Sequence, residues 1–288
     1  MTGKGGVGKT TLAAALALAA ARQGRRVVLC EVAGQERMRE LVPELTTVSV
    51  DPEEAKQEWL RYQLKSGTLA SVLGGSRLFQ YLTAAAPGLS ELVTIGKVWD
   101  LAQLERRTGG TVFDVAIVDA PATGHALGML RSPSTFAAVA GVGPVGRHAA
   151  TIDRSLRDPA HTAVVTAALP EEMPVNETVE FERALRRELD MAVDAIVVNA
   201  VHPLRFRPEE IERLDRARVQ NAAGHTPVTQ AALSSALSEH RRAKGEHAQV
   251  RRLRRAASAP VLTLPRIFEP ELGREHVERL SHELERKL

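Results

Sequence analysis

Near its amino end the chain reads Gly3-Lys4-Gly5-Gly6-Val7-Gly8-Lys9-Thr10-Thr11, and the Ala- and Leu-rich stretch Thr10–Gln23 follows at once. The nonapeptide satisfies G-x-x-x-x-G-K-[ST], the phosphate-binding loop pattern. Its glycines let the backbone curl so that main-chain N–H groups converge on phosphate oxygens. The helix expected from about Lys9 adds its positive amino end. Lys9 is expected to reach the β- and γ-phosphates, and the Thr10 hydroxyl to sit on Mg²⁺. Gly3, Lys4, Gly5, Gly6, Val7, Gly8, Lys9, Thr10 and Thr11 are therefore the candidate nucleotide-binding residues. Such a loop should follow a buried strand, yet only Met1 and Thr2 precede Gly3. That is too few for one, so the first strand is expected to be truncated and the native chain longer.

Outward from the loop, short apolar runs alternate with helix-like stretches. Val27–Cys30, Val48–Val50, Val112–Asp119, Thr162–Leu169, Ala195–Asn199 and Val261–Leu264 read as strands, rich in Val and Ile. Helices are expected over Thr10–Gln23, ending at Gly24, and over Pro52–Gly67, Asn176–Leu189, Pro208–Ala217, Thr229–Ala257 and Glu271–Leu288. Pro133–Arg147, the stretch richest in Gly and Pro, reads as a loop. Strands alternating with helices predict an α/β fold, a mostly parallel sheet with helices on both faces. No repeat or low-complexity linker divides the chain, so one domain, 1–288, is expected, with room for a helical subdomain around 60–107.

The run Val112–Asp119 ends in an aspartate, which at a strand carboxyl end can hold Mg²⁺ through water. Asp119 and Thr10 are thus the candidate metal ligands. The segment Asp119–Leu130 (D-A-P-A-T-G-H-A-L-G-M-L) resembles the switch II signature D-T-A-P-T-G-H-T-L-R-x-L of the ArsA family. This family comprises the arsenite-pump and tail-anchored-protein targeting ATPases. The proline is shifted by one position. Supporting segments are Val50–Ala55 (I-D-P-x-x-A in the family), Pro170–Thr178 (P-E-x-M-x-x-x-E-T) and Pro265–Gly273 (P-x-x-x-x-E-x-x-G). The loop G-K-G-G-V-G-K-T-T resembles the deviant Walker A motif of the signal-recognition, MinD and BioD class of P-loop NTPases.

That resemblance implies an ATP-binding, Mg²⁺-dependent switch of two subunits that converts ATP and water to ADP and phosphate. The partner subunit is either a second copy or an ArsA-like paralogue. It implies that Lys4 crosses the dimer interface to the other subunit's nucleotide, as an arginine finger does. Lys4 and Lys9 are then the catalytic candidates. It also implies that Asn199 reads the adenine edge with one donor and one acceptor, and that the loop holding Pro265 and Ile267 folds over the base.

The departures bear on turnover. Hydrolytic members carry S-T-D-P-A-H after the strand that follows the P-loop helix, and its aspartate orients the attacking water. Aligned on the strand, Ala33 stands where that aspartate should be, and a methyl group cannot orient water. Glu31 and Glu36 flank the position, but neither is required to replace it. Slow hydrolysis or none is expected. A nucleotide-gated subunit without turnover is the main alternative, and a ParA/MinD-type partitioning ATPase ranks behind it.

Composition closes other routes. Thirty-eight Lys plus Arg against 35 Asp plus Glu leave a formal charge of +3, too small to imply nucleic acid. The basic run Arg241–Arg255 carries no aromatic residue to stack bases and reads as a solvated helix face. One cysteine, Cys30, precludes an internal disulfide and a cysteine-built soft-metal site, and reads as core. The longest apolar run, Leu12–Ala21, is too short to span a bilayer, so a cytoplasmic location is expected. Apolar residues at helical spacing between Leu82 and Leu101 read as core, which leaves a protein client only weakly indicated.

Overall fold

The computed structural model describes residues 1–32, 37–64, 88–103, 111–140, 144–220 and 226–287. Seven strands lie among them: β1 (Thr2–Gly3), β2 (Val27–Val32), β3 (Thr46–Val50), β4 (Val115–Asp119), β5 (Val165–Ala168), β6 (Ala195–Val201) and β7 (Val261–Pro265). They pair in parallel in two groups, β3-β2-β4 and β1-β5-β6-β7. Met1 joins the groups. Its amino nitrogen donates to Val118 O (2.7 Å), and Ala120 N donates to Met1 O (2.9 Å). The two bonds straddle Asp119, which is the pattern of a parallel ladder. The continuous order is therefore β3-β2-β4-β1-β5-β6-β7. Met1 to Gly3 occupy the slot expected to lack its strand, Met1 bonded to β4 and Thr2 and Gly3 paired with β5.

Period-two alternation divides the core. Val27, Leu29, Ile117, Ala167, Val197 and Leu264 face one side, where α1 (Lys9–Arg22), α2 (Arg37–Leu41) and α10 (Arg274–Glu285) pack. Val28, Cys30, Ile196 and Val198 face the other. There they meet α4 (Leu89–Leu101), α5 (Thr123–Ala140), α6 (Pro144–Arg157), α7 (Glu172–Leu189) and α9 (Pro227–Ala256). Cys30 is fully buried, as core. The stripe Leu89, Leu92, Val93, Val98 and Leu101 is also core, while Leu82 lies outside the described residues. So does most of the region around 60–107.

Helix α1 is buried along nearly its whole length, which explains its alanines: small side chains let it lie close to the sheet and α10. It stops where Gly24 takes φ 81° and its N–H caps Ala21 O. Helix α3 (Pro52–Leu64) opens the expected strand-to-helix corner: Asp51 Oδ1 accepts from Glu53 N (2.8 Å) and Glu54 N (3.0 Å). The remaining helix, α8 (Pro208–Gln220), precedes α9.

Two expectations need correction. Pro133–Arg147 is not a loop: α5 runs through Pro133 to Ala140, and α6 begins at Pro144. A proline inside a helix leaves the carbonyl four residues back without its donor. Here that carbonyl belongs to Met129, and the buried Ser132 hydroxyl donates to it instead (2.9 Å). Helix α7 begins at Glu172, not Asn176. Pro174 falls in its first turn, where N–H groups have no intrahelical partner, so the proline costs nothing. Asn176 instead accepts a bond from Arg252 of α9. In the basic stretch Arg252 alone turns inward in this way; Arg241, Arg242, Lys244, Arg251, Arg254 and Arg255 are exposed.

The Met1 amino group is removed from water, and that burial lowers its pKa from 8.0 to about 6. An apolar extension of about five to eight residues, a typical strand length, would convert the amine into a peptide N–H and lengthen the central strand. The extended chain is expected to melt at least about 2 °C higher. The gain should be larger at pH 6 than at pH 8, because the lowered pKa destabilises the unextended fold as pH falls from about 8 to about 6. Thermal denaturation at both pH values checks this, and unchanged melting temperatures would refute it.

Candidate functional site: a phosphate loop at the centre of the sheet

The carboxyl ends of β1 and β4 lie side by side, and β1 leads directly into the glycine loop. In a parallel sheet this position, where the order of strands reverses, is the binding crevice. Gly3 has φ 149°, and a Cβ there would lie 2.2 Å from Ala167 O of β5. Only glycine lets the loop leave the sheet at this point. Gly5 and Gly6 are exposed, and Val7 is buried beneath them. Gly8 (φ 88°) precedes α1 and accepts its first bond, from Leu12 N.

Asp119 stands at the end of β4, and its Oδ2 accepts a 2.5 Å bond from the Thr10 hydroxyl. Its Oδ1 is buried with no hydrogen-bond partner. Burial raises its pKa above the ordinary aspartate value, against the opposing pull of the Thr10 hydroxyl, Lys9 and the Met1 amino group. A hydroxyl beside a carboxylate with an unused oxygen is a hard donor set, and it fits Mg²⁺ or its water shell. Neighbouring β2 brings Glu31 into register with Asp119. Glu31 is 6% exposed and belongs to the strand face shared with α1. Ala33 and Glu36 lie outside the described residues.

Both loop lysines have oxygen partners. Lys9 Nζ donates to Lys4 O (3.1 Å), and Lys4 Nζ pairs with Glu177 of α7 (2.7 Å). Asn199, on β6, reaches the loop as well: its Nδ2 donates to Val7 O (3.0 Å) and its Oδ1 accepts from Ala200 N (2.9 Å). A register shift between Val198 and Val201, with Ala200 at φ 57°, aims that side chain at the loop. Pro265 pairs with Val201 at the same sheet end, and Ile267 is partly buried against the α1 side. The structure thus gathers Gly3 to Thr11, Asp119, Asn199 and Pro265 at one edge, and gives Asn199 a bracing contact that its type alone did not reveal. His125 and Gly124 are exposed at the start of α5.

Three contributors escaped the sequence reading. Met1 supplies the bonds to β4. Thr2, buried, donates its hydroxyl to Pro121 O (2.8 Å) and ties β1 to the segment after Asp119. Glu177 sits inside the segment Pro170–Thr178, and the spacing of that segment signals no partner for Lys4.

The profile of the anion-transporting ATPase family matches residues 1–142, the span holding the loop, Asp119 and the T-G-H triplet. Residues 1–142, just under half of the chain, are therefore similar to that family. Similarity to individual proteins extends further along the chain. The ATPase BagA of Mycobacterium tuberculosis is 29% identical over 237 residues, covering 76% of this chain and 69% of BagA. The ATPase GET3 of Chaetomium globosum is 30% identical over 148 residues, covering 46% of this chain and 42% of that protein. An arsenical pump-driving ATPase of Acidiphilium multivorum is 24% identical over 238 residues, covering 70% and 39%. The α/β fold, with its parallel strands and helices on both faces, is as the sequence predicted.

Two substitutions probe the site. Gly3→Ala is expected to lower stability by at least about 2 kcal/mol, since it adds both a clash and an unfavourable φ; an unchanged denaturation midpoint would show that the β1–β5 contact is not close. Asn199→Ala removes the brace on Val7. Stability should fall by about 1 kcal/mol and nucleotide affinity by about tenfold, measured by denaturation and calorimetry.

Proposed function

We propose that the chain binds ATP with Mg²⁺ at this loop and works as a nucleotide-driven switch of two subunits, with a second copy or a related chain as partner. The observation that carries the reading is the Thr10–Asp119 contact beneath the glycine loop. It supports the reading by joining a hydroxyl and a carboxylate at the end of β4, beside the strand that launches the loop. Main-chain N–H groups of Gly5 to Thr10 would hold the phosphates, Lys9 would leave Lys4 O for a phosphate oxygen, and Thr10 and Asp119 would hold the cation. Bound Mg²⁺ supplies neutralisation of the charge on the β- and γ-phosphates. Asn199 keeps the loop in shape and, with Pro265 and Ile267, borders the place where the resemblance puts the adenine. Lys4 supplies a cation to the other subunit's nucleotide.

The reaction in this reading is hydrolysis of ATP to ADP and phosphate, slowed because Ala33 cannot orient water. Ala33 equally favours a second reading, a subunit that binds nucleotide, gates its partner and leaves turnover to a paralogue. Either version leaves room for a protein client, and neither requires one. Neither calls for nucleic acid, and no helix among the described residues is long and apolar enough to cross a membrane.

Calorimetry with ATP tests the binding reading. Lys9→Ala should weaken ATP at least about tenfold, the loss of one charge-assisted contact. Asp119→Asn should keep binding in EDTA but lose the gain that Mg²⁺ gives the native chain. Full affinity in Lys9→Ala would reject the site. Phosphate release, from the chain alone and mixed with a paralogue, separates the two readings of turnover. Robust turnover that survives Glu31→Gln and Glu36→Gln but is lost in Lys9→Ala would reject the impaired-hydrolysis reading.

A further inference from the structure

Lys4 does not project freely from the loop. Its ammonium is held 2.7 Å from Glu177 Oε1, and both side chains are about one-third exposed (31% and 33%). Glu177 lies on α7, a helix packed against β1 and rooted in the core through Val175, Thr178 and Phe181, so the carboxylate is presented from a fixed support. One turn earlier on the same helix Met173 is 63% exposed, and the adjoining Gly5 and Gly6 are exposed too. The face that would meet another subunit is therefore open, while the one cation meant to cross it is turned back onto its own chain. The second lysine is coupled to the first, because Lys9 Nζ is bonded to the carbonyl of Lys4 itself.

We propose that Glu177 is a guard on Lys4, holding it in its own subunit until nucleotide and a second subunit are both present. The inference rests on the dimeric reading above and adds its regulation. Two exchanges release the guard. A phosphate takes Lys9 from the Lys4 carbonyl, since an ionised acceptor outcompetes a neutral one, and this unpins the main chain at Lys4. The more highly charged triphosphate of the partner then takes Lys4 from the single carboxylate of Glu177. Until then the carboxylate cancels the lysine's charge and repels an approaching phosphate. Two subunits without nucleotide thus lack the cation that would draw them together.

The sign of one substitution decides the matter. An ion pair about one-third exposed shifts an equilibrium by about twofold, and a two-fold symmetric dimer breaks two of them. Glu177→Gln is therefore expected to tighten dimerisation in saturating Mg²⁺ and ATPγS by about fourfold, measured by analytical ultracentrifugation. ATPγS binding by calorimetry to dilute, monomeric protein should stay unchanged. The gain should shrink in 0.5 M salt and vanish in a Lys4→Ala background, where Glu177 has nothing to guard. If the native chain dimerises with ATPγS but Glu177→Gln leaves the dimer constant unchanged or weakens it, the guard is overturned and the dimeric reading stands. If the native chain binds ATPγS yet stays monomeric, the dimeric reading falls and the guard with it.

Discussion

A backbone that leaves the middle of a parallel sheet and turns at once into a buried helix has very little room, and most of this site follows from that restriction. Gly3 lies against the Ala167 carbonyl at a distance that admits no side chain. Met1 and Thr2 are bonded to β4 and to the segment after it. With both neighbours fixed, the glycine loop has one exit, over the carboxyl ends of β1 and β4, and Thr10 arrives opposite Asp119. The chemistry at the site is a consequence of where β1 and β4 end side by side.

The electrostatics follow the same economy. Around the loop, Lys4 and Lys9 each find an oxygen within the chain, one a carboxylate and one a carbonyl. The neutral carbonyl is a weaker partner than a phosphate oxygen, and the carboxylate carries less charge than a triphosphate, so both keep the cations oriented yet can be displaced. Asp119 is the opposite case. One of its oxygens is bonded and the other is buried without a partner, and burial raises its proton affinity. A buried carboxylate in that condition is costly for the fold alone, and costs of this kind concentrate where a ligand is bound.

The parts of the fold legible in the sequence were those written in local chemistry. Val- and Ile-rich runs gave the strands to within a few residues, since a strand covered on both faces must be apolar throughout. The loop, Asp119 and the Asp51-Pro52 corner could be read because each is a short pattern with a local mechanism. What escaped depended on distant partners. The stretch from Pro133 read as a loop and the later helix as starting only at Asn176, but a serine hydroxyl repairs the first proline and helix-end geometry accommodates Pro174. The contact of Asn199 with Val7 spans 192 residues, and that of Lys4 with Glu177 spans 173. No spacing rule reaches across such separations. A strand of two residues is below what periodicity can detect, so Met1 and Thr2 became visible only through their bonds.

The alanines of α1 have a mechanical consequence. The helix is wedged between the sheet and α10 with almost no surface of its own, and Arg22 fastens its far end to Glu285 and Ser281. Such a helix cannot pivot without dragging two layers with it, so strain arriving at the loop is not absorbed there. The helices that border β1, α5 and α7, instead offer exposed surface at His125 and Met173.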